Sequence, residues 1–395
     1  MSVCSQPPWR VSAQASATTH GRLPFPLVAA QQTRHPPPRK RSSLFRYSGV
    51  MRYRLLGNSG LRVSDFCLGT MTFGENWGWG SPKEESRKIY DAFREAGGNF
   101  IDTANIYTAG TSESFLGEFM EGHRQEIVLA TKYTNSFPGR DPNAAGNHRK
   151  SMMQAVEASL RRLRTDYIDL YLLHIWDRMT PIEEVMRAFE DLVRQGKIVY
   201  AGISDMPAWL VARGNTLAEL RGWSPVINIQ VEYSLVQRTV ERELLPMARA
   251  LGIGVTAWSP LAGGLLTGKY SGGIESAGDA RFSKPGPGHR AIADERNQAI
   301  VAAVQGVSKE MGRSPAQVAI AWLFEQNVIP IIGARRMAQF QDNLAAADVR
   351  LTPEQMKTLD DASKVELGFP HDFVNSDFVK NLTTAGLHAA IAASN

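Results

Sequence analysis

Cysteines, long apolar runs and clustered histidines are scarce in this 395-residue chain. Its two cysteines, Cys4 and Cys67, are too few for a disulfide framework, which favours a reducing compartment. No apolar run approaches the roughly 20 residues that span a bilayer. The eight histidines are scattered and neither HExxH nor CxxC occurs, so no zinc site is indicated. We therefore expect a cytoplasmic protein without a metal or a membrane partner.

Acidic residues are absent from the first 50 positions, which contain seven Lys or Arg and many Pro, Ser and Gln. The rest of the chain has 37 basic and 39 acidic residues, and such a near-neutral body argues against nucleic-acid binding. The composition predicts a disordered leader over residues 1–50. Two interpretations compete: a transit peptide, which would direct the protein to an organelle, or upstream sequence from a wrongly assigned start. The domain-like beginning at Met51 favours the second.

The GxGxxG motif of Rossmann folds is also missing after the first predicted strand, which counts against that fold. Short apolar runs alternate instead with helical patterns, and this alternation indicates a parallel α/β sheet. Eight such units in about 300 residues favour a closed (β/α)8 TIM barrel. The predicted strands are residues 66–68, 99–102, 127–132, 168–173, 198–203, 226–231, 253–258 and 328–332.

Other segments surround this predicted barrel, which we place at residues 51–363. Gly57–Gly60 lies between two short strand patterns and predicts an N-terminal β-hairpin. A long glycine-rich loop after strand 7, residues 260–295, is of the kind that often serves as a lid, and residues 364–395 form a C-terminal tail. The predicted helices lie near residues 112–121, 147–164, 181–195, 207–220, 239–251, 315–326 and 352–363, with a further one opened by Ser81 and Pro82.

Polar side chains follow the predicted strands. Asp102 ends strand two and Tyr107 comes five residues later, while Lys132 ends strand three and His174 follows strand four. The carboxyl ends of barrel strands share one face, so we expect these four residues to lie together. Each alone has a plainer explanation, such as a capping turn or a solvated charge. Their coincidence on one rim favours a chemical role.

These side chains suit proton transfer to an oxygen atom. A phenol has an ordinary pKa near 10, and an ammonium such as that of Lys132 favours the phenolate. Asp102 would orient that ammonium, and His174 would donate an N–H where negative charge develops. No nucleophile motif accompanies them, so the set suits carbonyl reduction, in which an external group supplies the hydride.

A nicotinamide would fit as that hydride donor. Trp258 offers a stacking face, and Ser204, Asp205 and Gln230 could form hydrogen bonds with its carboxamide. A phosphate site is expected near the last strands. There Gly333 to Arg335 open a helix, and residues 260–269 supply a glycine-rich turn.

The motifs around these residues resemble those of the aldo-keto reductase superfamily. They run in the expected order over about residues 52–363: DTANIY, ATK, YLLHIWD, GISD, NIQVEYSL, AWSPLAGGLLTGKY and IIGARRMAQFQDN. AAGNHRKSM and LRRLRTDYIDLYLLHIWD look closest to the aryl-alcohol dehydrogenase-like and potassium-channel β-subunit-like branch. The resemblance implies a (β/α)8 barrel and NADP(H)-dependent, reversible reduction of aldehydes and ketones to alcohols.

The resemblance also implies a role for each residue. Tyr107 would be the general acid, Lys132 would lower the pKa of Tyr107, Asp102 would orient Lys132, and His174 would position the carbonyl. Ser204, Asp205 and Gln230 would hold the carboxamide, with Trp258 stacked on the ring. Residues following the pyrophosphate would be Ser259, Leu261, Gly263, Leu265 and Lys269. Residues at the adenosine end would be Gly333, Arg335, Gln339 and Asn343, with Arg335 meeting a 2′-phosphate.

Two departures from the commoner family pattern stand at the nicotinamide site. Asp205 replaces an Asn, and a carboxylate cannot donate to the carboxamide oxygen. Trp258 replaces a Tyr, as in the channel-subunit branch. A second function therefore stays open, namely a nicotinamide-binding regulatory or scaffold subunit with incidental reductase activity.

An aromatic wall predicts the substrate, a small-molecule carbonyl compound or alcohol. Aromatic walls favour apolar or aromatic aldehydes over charged sugars. The residues assigned to the wall are Phe73, Trp77, Trp79, Tyr133, Phe137 and Trp176.

Overall fold

A computed structural model describes residues 51–137, 139–271 and 287–391. The predicted disordered leader and the centre of the predicted glycine-rich loop lie outside these residues. Eight parallel strands close into a barrel in which the last strand pairs with both the first and the seventh. The fold is therefore the predicted (β/α)8 barrel, and each predicted strand is found within one residue of its expected bounds. The barrel strands are β3 Cys67–Gly69, β4 Phe100–Asp102, β5 Val128–Tyr133, β6 Ile168–Leu173, β7 Ile198–Ser204, β8 Val226–Glu232, β9 Gly254–Trp258 and β10 Ile329–Ile332.

The predicted N-terminal hairpin is present as β1 Tyr53–Leu55 paired antiparallel with β2 Arg62–Ser64. Leu56 and Val63 pack in the same buried cluster as side chains from the first residues of several barrel strands. The hairpin thus fills the amino-terminal end of the barrel. The carboxyl end is left for the loops that carry the polar residues.

Helices cover the outside of the barrel. Side chains along each strand point alternately into the barrel and out toward the helices, so there are two apolar clusters. The cluster that faces the helices is the larger one. The helices are α1 Lys83–Glu95, α2 Thr111–Phe119, α3 Arg149–Leu163, α4 Ile182–Arg194, α5 Ala208–Arg221, α6 Leu244–Leu251, α7 Pro287–Ala293, α8 Glu295–Met311, α9 Pro315–Glu325, α10 Met337–Leu344, α11 Pro353–Ser363, α12 His371–Val374 and α13 Asp377–Thr383. None of the helices in the described ranges is long and apolar enough to cross a bilayer.

Two helical predictions need correction. The sequence pattern assigned no element to residues 296–314, yet α8 fills most of this stretch. The buried face of this helix is rich in valine, and Gly306 lies within the helix. Valine and glycine are weak helix formers, and the sequence pattern therefore did not indicate a helix. The helix predicted over 239–251 is divided into a 3₁₀ turn at Thr239–Glu241 and α6. Pro246 explains the late start of α6, since proline is tolerated in the first turn of a helix.

The C-terminal tail leaves the barrel beside the loop that follows β8. The Arg242 guanidinium donates to the Glu366 carbonyl oxygen at 2.6 Å, and the His371 ring lies 3.0 Å from the Glu243 carboxylate. These contacts tie the start of the tail and its first short helix, α12, to the carboxyl-end side of the fold.

The hairpin turn packs against the barrel through Gly57. Its φ of +58° lies in the left-handed region, and a Cβ there would meet backbone atoms of Ile227, Gly252 and Gly254 at 2.7 Å. The neighbouring Asn58 N–H donates to the Gly252 carbonyl oxygen at 2.7 Å. Only glycine allows this close approach.

Replacing Gly57 with Ala should therefore lower the free energy of unfolding by about 2–4 kcal/mol, because three backbone atoms would have to move. Gly60→Ala is the matched control in the same turn, since a Cβ there meets no atom within 4 Å. It should change stability by less than about 0.5 kcal/mol. Urea denaturation followed by tryptophan fluorescence measures both. Equal effects of the two substitutions would contradict the packing role of Gly57.

Candidate active site

A buried ion pair lies at the carboxyl end of the barrel, where β4 and β5 end. Lys132 Nζ donates to Asp102 Oδ1 at 2.6 Å, and neither side chain is more than 4% exposed. The second carboxylate oxygen accepts from Gln230 Nε2 at 2.8 Å. Burial alone would lower the pKa of Lys132, but the Asp102 carboxylate and the Tyr107 hydroxyl together more than offset this and raise the pKa above its ordinary value. The ammonium is therefore held in its charged form.

Lys132 also reaches Tyr107. Its remaining contacts are the Thr103 carbonyl oxygen at 2.8 Å and the Tyr107 hydroxyl oxygen at 3.2 Å. An ammonium has three donors and no acceptor, so all its donors are used and the phenol oxygen is an acceptor. The phenol hydrogen of Tyr107 is consequently left to donate elsewhere.

A strained turn places Tyr107 over the barrel. It begins a short 3₁₀ turn in which Thr108 and Ala109 have φ of 45° and 57°, followed by Gly110 at 87°. The Thr108 hydroxyl donates to the Phe73 carbonyl oxygen at 2.6 Å, which holds the turn in place. Left-handed backbone at a non-glycine residue is unfavourable and is concentrated at functional sites.

Burial raises the pKa of Tyr107 above its ordinary value, and Lys132 only partly opposes that rise. The proximity of an ammonium alone predicts a lowered pKa for Tyr107, which is not what the structure gives. Desolvation has the larger effect on this pKa, because the phenol lies in the barrel mouth. The phenol is therefore protonated at neutral pH and can act as an acid.

His174 stands edge-on to Tyr107, with ring centroids 5.9 Å apart and an angle of 80° between the rings. Burial, and to a lesser degree the Lys132 ammonium, lower the pKa of His174 to about 3. The imidazole is therefore neutral throughout the physiological range and carries a single N–H.

Asn135 determines which nitrogen carries that hydrogen. Its Nδ2 lies 3.1 Å from Nδ1 of His174. Asn135 is itself held by Asn105, whose side-chain amide donates to the Asn135 carbonyl oxygen at 3.0 Å. An amide nitrogen can only donate, so Nδ1 accepts and the hydrogen lies on Nε2. Sequence reasoning missed Asn135, although it stands only three residues beyond Lys132.

Thr134 connects the loops after β5 and β6. It has a φ of 97°, an outlier for a β-branched residue, and its hydroxyl oxygen accepts from the His174 backbone N–H at 3.2 Å and from Asn147 Nδ2 at 3.0 Å. Asn147 also bonds the backbone of Ile175 and Asp177. This network fixes the backbone that carries Asn135 and His174.

The residues assigned to a nicotinamide lie beside this cluster, at the ends of β7, β8 and β9. Ser204 is buried and its Oγ has no hydrogen-bond partner within the part of the chain that the structure describes. Trp258 Nε1 donates to Asp205 Oδ1 at 3.2 Å. A buried hydroxyl without a partner is costly, and the carboxamide of a nicotinamide would satisfy it. The residues therefore fit such a ring, although Gln230 already donates to Asp102.

The loop after β9 forms the predicted glycine-rich turn. Ser259 has a φ of 53°, and Gly263 and Gly264 are also left-handed. A Cβ on Gly264 would lie 2.5 Å from Lys269 Nζ, so the ammonium rests on this turn because Gly264 lacks a side chain. Leu261 and Leu265 pack with the helix-facing core and can offer only backbone groups to a ligand.

The residues assigned to the adenosine end lie after β10. Gln339 Oε1 accepts from the Arg335 backbone N–H at 3.1 Å, and Asn343 Nδ2 donates to the Gly333 carbonyl oxygen at 3.4 Å. Thr72 and Ser81 donate to carbonyl oxygens of the same loop. Gln339 and Asn343 therefore brace the loop that presents Gly333 and Arg335.

The aromatic residues assigned to the substrate divide into two groups. Trp77 lies 6.4 Å from Tyr107 and 5.7 Å from Trp79, measured between ring centroids. Trp176 is half-buried beside the Asp205 backbone, to which its N–H donates, and Phe137 is half-exposed on the loop after β5. These four can face a ligand.

Phe73 and Tyr133 cannot face a ligand, because both side chains are buried. Tyr133 follows the inward-facing Lys132 by one residue, so it points outward, where it stacks on Tyr171 with no exposed surface. Phe73 is likewise fully buried and packs against Phe119. The prediction that these two residues belong to the substrate wall is wrong, because both are part of the core.

The Asn135 contact can be tested spectroscopically. In the wild type, the nitrogen-15 chemical shifts of the His174 ring should show a protonated Nε2 and an unprotonated Nδ1 at neutral pH. The signals of this ring are identified by their loss from the spectrum of His174→Gln. Asn135→Asp should move a hydrogen onto Nδ1, since a carboxylate only accepts. A wild-type ring that already carries the hydrogen on Nδ1 would contradict the assignment.

Comparisons with known proteins identify the family of the chain. The sequence model of the Aldo/keto reductase family matches residues 65–364. The chain is 38% identical over 342 residues to an aryl-alcohol dehydrogenase (NADP(+)) of Phanerodontia chrysosporium, which covers 80% of this chain and 87% of that protein. It is 39% identical over 328 residues to the norsolorinic acid reductase stcV of Emericella nidulans, covering 80% and 82%. It is 40% identical over 325 residues to the uncharacterized oxidoreductase YrpG of Bacillus subtilis, covering 79% and 95%.

These relatives carry the names of oxidoreductases, and the matched segment contains every barrel strand and every residue of the cluster around Lys132. The chain therefore belongs to the aldo/keto reductase family and is an oxidoreductase.

Proposed function

We propose that this protein reduces aromatic or apolar aldehydes and ketones to alcohols, reversibly, with NADPH as hydride donor and Tyr107 as general acid. The observation that carries the proposal is the phenol of Tyr107, which accepts from the buried Lys132 ammonium at 3.2 Å and stands edge-on to His174. No side chain can donate a hydride, so the chemistry requires a cofactor. When bound, NADPH supplies that hydride.

Each residue of the cluster has a step in this proposal. The Nε2–H of His174 donates to the carbonyl oxygen and favours the negative charge that develops there. Tyr107 gives its hydrogen to the same oxygen, which becomes the alcohol. The Lys132 ammonium stabilises the phenolate that remains, and Asp102 with Gln230 holds the ammonium in position.

The cofactor assignment rests on residues around the barrel mouth. Ser204 and Asp205 would bind the carboxamide and Trp258 would stack on the ring. Gly263 and Lys269 would lie along the pyrophosphate, and Arg335 would meet the 2′-phosphate, since guanidinium groups suit phosphates. A relative named for NADP(+) supports the choice of NADP(H) over NAD(H).

The substrate class rests on Trp77, Trp79, Trp176 and Phe137, which offer aromatic surface beside Tyr107. Relatives named for aryl alcohols and for norsolorinic acid agree with this class. A cytoplasmic location and the start at Met51 remain predictions. A regulatory subunit with incidental activity is the competing function, and it does not require the complete cluster.

The test compares wild type with Tyr107→Phe by following NADPH oxidation in the presence of 4-nitrobenzaldehyde. The variant should lose about 10²–10⁴-fold in kcat, the usual contribution of a general acid, while fluorescence titration finds NADPH binding retained. A polar triose should be reduced less efficiently than the benzaldehyde. Tight NADPH binding without turnover in either protein would support the regulatory function. Equal efficiency on both substrates would contradict the aromatic site.

The rate of reduction should be nearly independent of pH from about 5 to 9. Across this range His174 stays neutral, since its pKa is about 3, and Tyr107 stays protonated, since its pKa is raised. Reduction should fall only when alkaline pH removes the phenol proton. Alcohol oxidation needs the phenolate as base, so it should rise with pH instead. A fall in reduction with an apparent pKa near 6 or 7 would mean that another group is the acid.

A further inference from the structure

We propose that the carboxylate of Asp205 makes the site bind the oxidised nicotinamide more tightly than the reduced one, and so strengthens the hydride donor. This inference rests on the proposed function, because it assigns the ring to the surface formed by Ser204, Asp205 and Trp258. It concerns the charge of Asp205 rather than its hydrogen bonds.

The backbone holds Asp205 in an unusual position. The residue directly follows β7, has a φ of 46° and is therefore left-handed. Its N–H donates to the Gln230 carbonyl oxygen, and its own carbonyl oxygen accepts from the Trp176 N–H, both at 3.4 Å. These contacts turn the side chain toward Trp258, whose indole N–H donates to Oδ1.

The hydrogen bond to Trp258 does not by itself call for a carboxylate. The side-chain oxygen of an asparagine could accept the same N–H, and its amide could also donate to a carboxamide oxygen, which Asp205 cannot do. An aspartate at this position thus forgoes one donor and differs from asparagine chiefly by its negative charge.

Little in the described surroundings cancels that charge. Within the described ranges Asp205 forms no ion pair, and the ammonium that acts on it, Lys132, is already bonded to Asp102. Burial raises the pKa of Asp205, while the Trp258 hydrogen bond and the Lys132 charge favour the ionised form. The geometry therefore places a carboxylate beside the surface assigned to the ring.

The nicotinamide ring is neutral when reduced and carries one positive charge when oxidised. A carboxylate a few ångströms from the ring attracts only the oxidised form. At 4 Å the effect on binding lies between about fivefold in water and about a thousandfold near a protein surface. We expect about tenfold, because one side of Asp205 is exposed to solvent.

The same charge acts during the reaction. If NADPH is bound there and its hydride passes with the electron pair to the carbonyl carbon, Asp205 would stabilise the positive charge left on the ring. The proton comes from Tyr107, and no bond to Asp205 forms or breaks. Asp205 thereby favours carbonyl reduction on the enzyme, although the equilibrium in solution is unchanged.

The experiment measures the dissociation constants of NADPH and NADP+ for the full chain, by calorimetry at one pH and one salt concentration. Asp205→Asn removes the charge and keeps the shape, and Asp205→Glu keeps the charge. The ratio of the two constants should shift about tenfold toward NADPH in Asp205→Asn. In Asp205→Glu it should stay near the wild-type ratio, which also guards against a general effect of substitution.

Two results would overturn the inference while leaving the proposed function intact. One is an unchanged ratio in Asp205→Asn, and the other is an equal weakening of both forms, which would limit Asp205 to hydrogen bonding. Failure of wild type to bind either form would instead overturn the proposed function and, with it, the assignment of the ring to this surface.

Discussion

The ammonium of Lys132, buried in the barrel mouth against Asp102, constrains everything around it. Moving two charges out of water costs several kcal/mol per ion unless their hydrogen bonds are complete. In this pair they are complete, because Lys132 donates to three oxygen atoms and the second carboxylate oxygen of Asp102 accepts from Gln230. Because the donors point in fixed directions, the phenol of Tyr107 can occupy only one place. A structural requirement for satisfied charges thus also orders the reacting group.

Backbone strain gives the site its precision. Left-handed residues follow β5, β7 and β9 at Thr134, Asp205 and Ser259, and another such turn begins after Tyr107. Strained residues persist only where surrounding contacts hold them, as the Thr134–Asn147 network does. The barrel fixes where the strands end, and these turns then direct side chains toward a shared space. The Asn135 contact to His174 depends on the same network.

Much of this could be predicted from the sequence, for physical reasons. Short apolar runs separated by helical patterns gave all eight strands, and strand ends brought Asp102, Lys132 and His174 to one rim. Tyr133 was misplaced although strand alternation already required it to face away from Lys132. Contacts between residues distant in sequence could not be predicted. The hydrogen bonds of Gln230 with Asp102 and of Asn135 with His174 depend on strand register and on backbone turns, which no local sequence pattern encodes. The raised pKa of Tyr107 likewise follows from burial, which the sequence does not reveal.

The most direct test of the account asks whether Lys132 and Tyr107 act as one unit. The measurement is kcat for NADPH-dependent reduction of 4-nitrobenzaldehyde by Lys132→Met, Tyr107→Phe and the double variant, each checked for folding by thermal unfolding. If the ammonium works through the phenol, the double variant should be no slower than Tyr107→Phe, within about threefold, because groups that act together are not additive. Losses that multiply in the double variant would show that the two side chains contribute independently, and would contradict the account.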